Sequence, residues 1–205
     1  MIRVSASVQR SFVFPAERPL AYAYYADIGR VLSYLPHIGL VRAYGPDRLR
    51  LLYHSTELGI YRIRIYADVQ TILEDGCVLH VRPIDGLPPV RSQSSADSTT
   101  SHGYFASRSI FRELGNQVQI EYNLQLRANL PTPRGLRFMP GSVVNSIARS
   151  ITNLRTHEIV EGFIERSVEA FPHWLEELRN HGSLPEPGSA GSGPPPNPNC
   201  PEELF

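Results

Sequence analysis

The 205-residue chain contains no lysine: all twenty of its basic residues are arginine, and twenty acidic residues balance them to a formal net charge of zero. Without lysine, Schiff-base catalysis and the phosphate-binding loop that depends on a lysine are both excluded. Without a surplus of positive charge or a long run of one sign, the electrostatic footprint of a nucleic-acid binder is missing, and no nucleic-acid partner is expected. Only two cysteines occur, Cys77 in a strand-like run and Cys200 in a Pro-rich stretch. A bridge between them would tether a floppy end, so the expectation is two unbridged thiols in a reducing compartment. No stretch approaches the roughly 18 consecutive apolar residues of a membrane-spanning helix. Met1-Ile2-Arg3-Val4-Ser5 alternates like a strand and lacks the apolar centre of a signal peptide. A cytoplasmic location follows as the expectation, with a peripheral membrane contact and a homodimer left open.

Catalytic and metal signatures are also missing. His37, His54, His80, His102, His157, His173 and His181 form no HExxH motif and no Cys/His cluster, and no GxSxG elbow occurs. His54 and His80, each in a strand-like run, are the histidines that could meet in space. No catalytic residue, metal ligand or cofactor is assigned.

What the chain does contain is periodicity. In the first segment Ile2, Val4, Ala6, Val8, Phe12 and Phe14 alternate with Arg3, Ser5, Ser7, Gln9 and Ser11, a strand that Pro15 ends. Residues 16–36 read as one helix or two short ones, with Leu20, Tyr24, Ala26 or Ile28, Val31 and Leu32 at helical spacing, weakened at Gly29 and stopped by Pro36. Strands are predicted over 38–44, 49–56, 60–72, 77–84, 103–112 and 118–128, with turns at Gly45-Pro46-Asp47, Gly59, Glu74-Asp75-Gly76 and Leu114-Gly115-Asn116. Residues 85–102 read as a long polar loop. Alternating strands joined by short turns imply an antiparallel meander with one buried face.

The last predicted element is helical, over about 140–178. Its apolar stripe changes sides. Val144, Ile147, Ile151 and Leu154 share one face, whereas Val160, Phe163, Ile164, Val168, Phe171, Leu175 and Leu178 lie on nearly the opposite one. Either the helix breaks around 155–158 with Thr156 as an N-cap, or its first half faces something other than the sheet. Residues 183–205 are Gly, Ser and Pro with little that could pack, and are expected to form a disordered tail behind a single domain of residues 1–182.

Strand, helices, six strands and a long helix define an α+β domain. The expected architecture is a curved antiparallel sheet of about seven strands wrapped on the C-terminal helix. A bent sheet gripping one helix leaves a space at its wide end, and such spaces bind apolar ligands with a few polar anchors.

The opening strand, Pro15-Ala16-Glu17-Arg18-Pro19-Leu20, and Ala26-Asp27-Ile28 through Tyr34-Leu35-Pro36-His37-Ile38 are similar to the start of the START-like superfamily of polyketide cyclases and lipid-transfer domains. Within it, Tyr34-Leu35-Pro36, the Glu57-Leu58-Gly59 turn and the approach from Leu130-Pro131 to Pro140 most resemble a family of unknown function from cyanobacteria and plastids. The resemblance covers roughly residues 2–180. It implies a helix-grip fold and a hydrophobic ligand, and it carries no catalytic residues across.

Polar side chains on apolar strand faces are the candidates for orienting such a ligand, because a buried tyrosine hydroxyl needs a partner. They are Tyr53 beside Leu49 and Leu51, Tyr104 and Arg108 beside Ala106 and Ile110, and Tyr122 among Ile120, Leu124 and Leu126. Core tyrosines bonded within the protein are the plainer account. From the helix, Ile151, Leu154 and Glu158 complete the candidate lining. Glu158 would carry a raised pKa or pair with a residue such as Arg108 if buried, and would be ordinary if a helix break leaves it in water. Three functions compete. The first is non-enzymatic binding or transport of a lipid, isoprenoid or pigment-like molecule. The second is a polyketide cyclase or dehydratase in which Tyr122, Arg108 and Glu158 converge. The third is a protein-interaction module with an exposed patch of Val144, Ile147 and Ile151.

Overall fold

The computed structural model describes residues 1–74, 76–136 and 138–180. Its elements are β1 (Ile2–Phe14), α1 (Arg18–Ala26), α2 (Ile28–Ser33), β2 (Ile38–Ala43), β3 (Arg48–Glu57), β4 (Tyr61–Glu74), β5 (Val78–Pro83), the two-residue β6 (Gln93–Ser94), β7 (Ser98–Leu114), β8 (Gln117–Leu130) and α3 (Gly141–Asn180). The strands form one sheet in the order β1-β8-β7-β5-β4-β3-β2, with β6 attached to β7. The predicted tail falls on residues outside those described.

The alternation read from the sequence sets the sheet. β1 and β8 pair along their whole lengths, from Ile2↔Leu130 to Phe14↔Val118. That register turns Val8 and Phe14 toward the same core as Val118, Ile120, Tyr122 and Leu124. Asp27 separates the two short helices: its carboxylate accepts from the Arg30 N–H at 3.2 Å, capping α2.

β5 is short, and this bends the topology. It lies between β7 and the second half of β4. Beyond its end, Arg62–Tyr66 of β4 pair directly with Ser98–His102 of β7, in parallel. Part of the predicted polar loop is therefore strand. The inward residues there are Thr99 and Ser101, which look like loop in a sequence. Both are buried because their hydroxyls donate to the carbonyls of Pro131 (3.4 Å) and Asn129 (2.7 Å).

The C-terminal helix does not break. α3 runs unbroken for 40 residues, and Thr156 is no cap: its hydroxyl donates to the Thr152 carbonyl one turn back, at 2.7 Å. The shift of stripe is instead a division of labour. Ile159, Val160, Phe163, Phe171 and Trp174 are buried against the sheet and the short helices. There an aromatic cluster fills one end of the fold, with Phe14 to Phe171 ring centroids 4.7 Å apart and Tyr24 to Trp174 at 4.9 Å. The Tyr24 hydroxyl donates to the Ser167 carbonyl at 2.8 Å and meets the Tyr34 hydroxyl at 2.9 Å, so this core carries its own polar partners. Before Ile159, α3 buries only Val144 and Thr156.

Two further findings differ from the sequence reading. Cys77, buried in the turn before β5, is disulfide-bonded and not a free thiol, while Cys200 lies outside the described residues. On the outer face, Arg50 and Asp68 are directly opposed across β3 and β4 and are only 9% and 5% exposed. Arg50 Nε and Nη2 donate to the two carboxylate oxygens at 2.6 and 2.7 Å, and Nη2 also donates to the Pro88 carbonyl at 2.6 Å. The segment after β5 is thereby pinned over the sheet.

Candidate ligand cavity

The sheet and α3 part company where the helix leaves the aromatic cluster. In β3 and β4, pairing of Leu51 with Ala67, Tyr53 with Ile65 and Ser55 with Ile63 turns all six toward the helix. Across from them, β8 presents Leu126, Ala128 and Leu130, and α3 presents the turns from Ile151 to Ile159. The residues enclose an apolar cavity of about 90 Å³. Gly103 of β7 sets one wall: a Cβ there would lie 2.6 Å from Ile65 Cγ2 and 3.0 Å from the Arg127 carbonyl. Only glycine lets the strands approach so closely at that point.

The helical wall is polar by composition yet offers few unpaired groups. Thr152 donates to the Ala148 carbonyl and Thr156 to the Thr152 carbonyl, both at 2.7 Å. Arg155 is held twice over. Its Nε and Nη2 donate to Glu57 at 2.9 and 3.2 Å, and its Nη1 donates to Glu158 at 2.6 Å. These bonds, Glu57 first, raise the Arg155 pKa above its ordinary value. Glu158 is in turn 3.1 Å from His37 Nε2, and the Arg155 and His37 bonds hold its pKa below the ordinary carboxylate value. The Tyr53 hydroxyl is pushed up, chiefly by burial.

Of the residues singled out from the sequence, Tyr53, Leu126 and Ile151 line the cavity, and Tyr104 borders it beside Gly103 and Phe105. The Tyr104 ring lies 5.4 Å from the Arg127 guanidinium. Tyr122 and Leu124 lie deeper, in the filled core. Tyr122 packs on Phe163 with ring centroids 5.2 Å apart, and burial raises its hydroxyl pKa. Arg108, Leu154 and Glu158 are exposed. The conditional reading of Glu158 as a buried carboxylate with a raised pKa is corrected: its pKa is lowered, and its cation is Arg155, not Arg108. Tyr122, Arg108 and Glu158 therefore do not converge. His54 and His80 do not meet either. His54 pairs with Arg64 and His80 with Ile72, at separate points along β4, and His80 Nε2 lies 2.9 Å from Glu74. Among the described residues, no group of three or more His, Cys, Asp or Glu could hold a metal ion.

The sequence reading missed Arg155, Glu57 and Thr152. Glu57 carried a signal that could have been used. It sits in phase with Leu51, Tyr53 and Ser55 on an inward strand face, where a carboxylate needs a cation.

A curved, mainly antiparallel sheet closed by one long C-terminal helix is the helix-grip arrangement, and this chain has it. No family model matches the sequence, and no curated protein matches it. Among solved structures, the chain is similar to a protein of Thermus thermophilus at 15% identity and a TM-score of 0.49, over 80% of this chain and 99% of the other. It is similar to the Zhui aromatase/cyclase of a Streptomyces species at 14% identity and 0.47, over 88% and 99%. Human STARD10 gives 11% identity and 0.47, over 87% and 72%. At these identities and scores, no ligand and no activity passes from those proteins to this one. Among the described residues, no helix is long and apolar enough to cross a membrane.

Proposed function

We propose that the protein binds or carries an apolar small molecule, of lipid, isoprenoid or pigment-like character, between the sheet and α3 without transforming it. The observation that supports this reading is the cavity itself, bounded by Leu51, Ile63, Ile65, Leu126, Ile151 and Ile159 at the place where the helix leaves the core. Tyr53 and Tyr104 are the proposed polar contacts at its border. Arg155 already has two carboxylate partners, so the site asks for a cargo with little or no charge.

Size sets a condition on binding. The present cavity is well below the roughly 300–1,000 Å³ of a typical small-molecule pocket. A lipid-sized guest enters by displacing the part of α3 before Ile159, which buries only Val144 and Thr156. The narrower kinship, START-like and nearest a cyanobacterial and plastid family, belongs to this proposal on the motifs given above. The cyclase alternative loses the trio on which it rested, because Tyr122, Arg108 and Glu158 lie apart.

Titration with an environment-sensitive apolar fluorophore tests the reading. A saturable, one-to-one signal is expected, weakened at least about tenfold (about 1.4 kcal/mol) by Ala67→Leu, which extends a side chain into the cavity. A signal that does not saturate, or that Ala67→Leu leaves unchanged, would reject it.

A further inference from the structure

The inward face of the β3–β4 hairpin changes character along its length. Its opposed positions run Leu51 with Ala67, Tyr53 with Ile65, Ser55 with Ile63 and Glu57 with Tyr61, so polar groups gather toward the turn. Ser55 is the next inward residue after Tyr53 and stands directly across from Ile63, and both of those neighbours line the cavity. Ser55 is only 7% exposed, and its Oγ is buried with no hydrogen-bond partner among the described residues. It lies close enough to the Tyr53 hydroxyl to temper the rise in pKa that burial imposes there, yet no hydrogen bond of ordinary geometry joins the two. One step further along, the Tyr61 hydroxyl is also buried and unbonded. Its neighbour Thr99 directs its own hydroxyl elsewhere, to the Pro131 carbonyl at 3.4 Å.

A hydroxyl buried without a partner costs free energy, and a guest that supplies the partner recovers it. The surroundings restrict what that guest can carry. Glu57, 6% exposed, is the next inward residue after Ser55, and its cation Arg155 already serves both Glu57 and Glu158. A carboxylate or phosphate head would therefore meet a buried negative charge with no uncommitted cation. A plain hydrocarbon would leave the hydroxyls as they are. An uncharged oxygen can accept from these hydroxyls without adding charge, and a hydroxyl can also donate in return.

We infer that Ser55, with the Tyr53 and Tyr61 hydroxyls beside it, anchors an apolar guest through a single uncharged oxygen head, a hydroxyl or a carbonyl. The inference rests on the binding reading above and narrows its cargo to neutral alcohols and ketones, against fatty acids and phospholipids. A guest seated on Tyr53 and Ile63 brings its head to Ser55, while its body lies along Leu51, Ile65 and Leu126.

Competition against the environment-sensitive apolar fluorophore provides the test, with decanol, a methyl ketone of the same length and decanoate as competitors. At about pH 8, where decanoate is ionised, the alcohol or the ketone should displace the fluorophore at concentrations at least about tenfold lower than decanoate. Ser55→Ala should weaken the better neutral competitor about three- to tenfold more than it weakens the fluorophore itself. The ligand-free Ser55→Ala chain should melt no lower than the parent, because it loses a buried hydroxyl that has no partner. A lower melting temperature would show that the protein already uses this hydroxyl and would overturn the inference. Equal weakening of competitor and fluorophore, or decanoate competing as well as the neutral compounds, would overturn it too. In each of those cases saturable fluorophore binding that Ala67→Leu weakens would still stand, so failure of the anchor is distinct from failure of the cavity.

Discussion

Arg155, in the middle of α3, and Glu57, at the end of β3, are 98 positions apart and meet through two hydrogen bonds of 2.9 and 3.2 Å. Glu57 is buried, and Arg155 is its only charged partner among the described residues. The pair fastens the first half of α3 to the sheet beside the cavity.

Arg155→Met leaves the Glu57 carboxylate buried without its cation. A loss of about 2–4 kcal/mol is expected in urea unfolding, short of the full cost of an orphaned buried charge because Arg155 is partly exposed. Adding Glu57→Leu to Arg155→Met should restore most of that stability. If the single variant unfolds like the parent, the pair does not fasten the helix.

Gly162 tests how closely α3 lies on the chain before β2. A Cβ at this position would be 2.7 Å from Pro36 Cγ and 3.4 Å from Cδ. Gly→Ala inside a helix normally gains up to about 1 kcal/mol. The rigid proline ring cannot move aside as a long side chain would, so the clash should win. Gly162→Ala is expected to lower stability by about 1–2 kcal/mol in thermal or urea unfolding, and a gain would show that α3 has room to shift there.

Acid should weaken the outer face of the sheet. Burial would raise the Asp68 pKa, but the bonds from Arg50 and His102 prevail and hold it below the ordinary 3.8. A depressed folded pKa means that the unfolded chain takes up the proton first. The stabilisation is therefore complete above the ordinary pKa and disappears as pH falls through the lower folded one. Glu158, also lowered, adds a contribution of the same sign. Unfolding followed from neutral to acid pH should show a fall in stability below about pH 4, and a smaller one in Asp68→Asn, which is already destabilised at neutral pH. Equal acid sensitivity in the two proteins would exclude Asp68 as a source.

Legibility in the sequence followed the locality of each cause. The alternation of Val118, Ile120, Tyr122 and Leu124 was plain because one face of β8 is buried along its length. Ser98–His102 looked like loop because its inward hydroxyls satisfy carbonyls from a distant strand. Arg50 and Asp68 sit on the polar phase of their strands, and their burial depends on a segment folding back from Pro88. In α3 the change of stripe was visible, and a break at 155–158 was one expected outcome. The charges there tolerate an unbroken helix because Glu57 and His37 meet them from other elements. Tyr53, Leu126 and Ile151 were legible as inward positions, whereas the place where the core ends and the cavity begins depended on how the aromatic cluster packs.

Native mass spectrometry of the gently purified chain, with organic extraction of the same sample, tests the central claim most directly. The account predicts a discrete added mass that is recovered in the organic phase as an apolar compound and is reduced or absent in Ala67→Leu. The bare chain mass alone, with nothing extracted and no apolar compound retained after incubation, would contradict it.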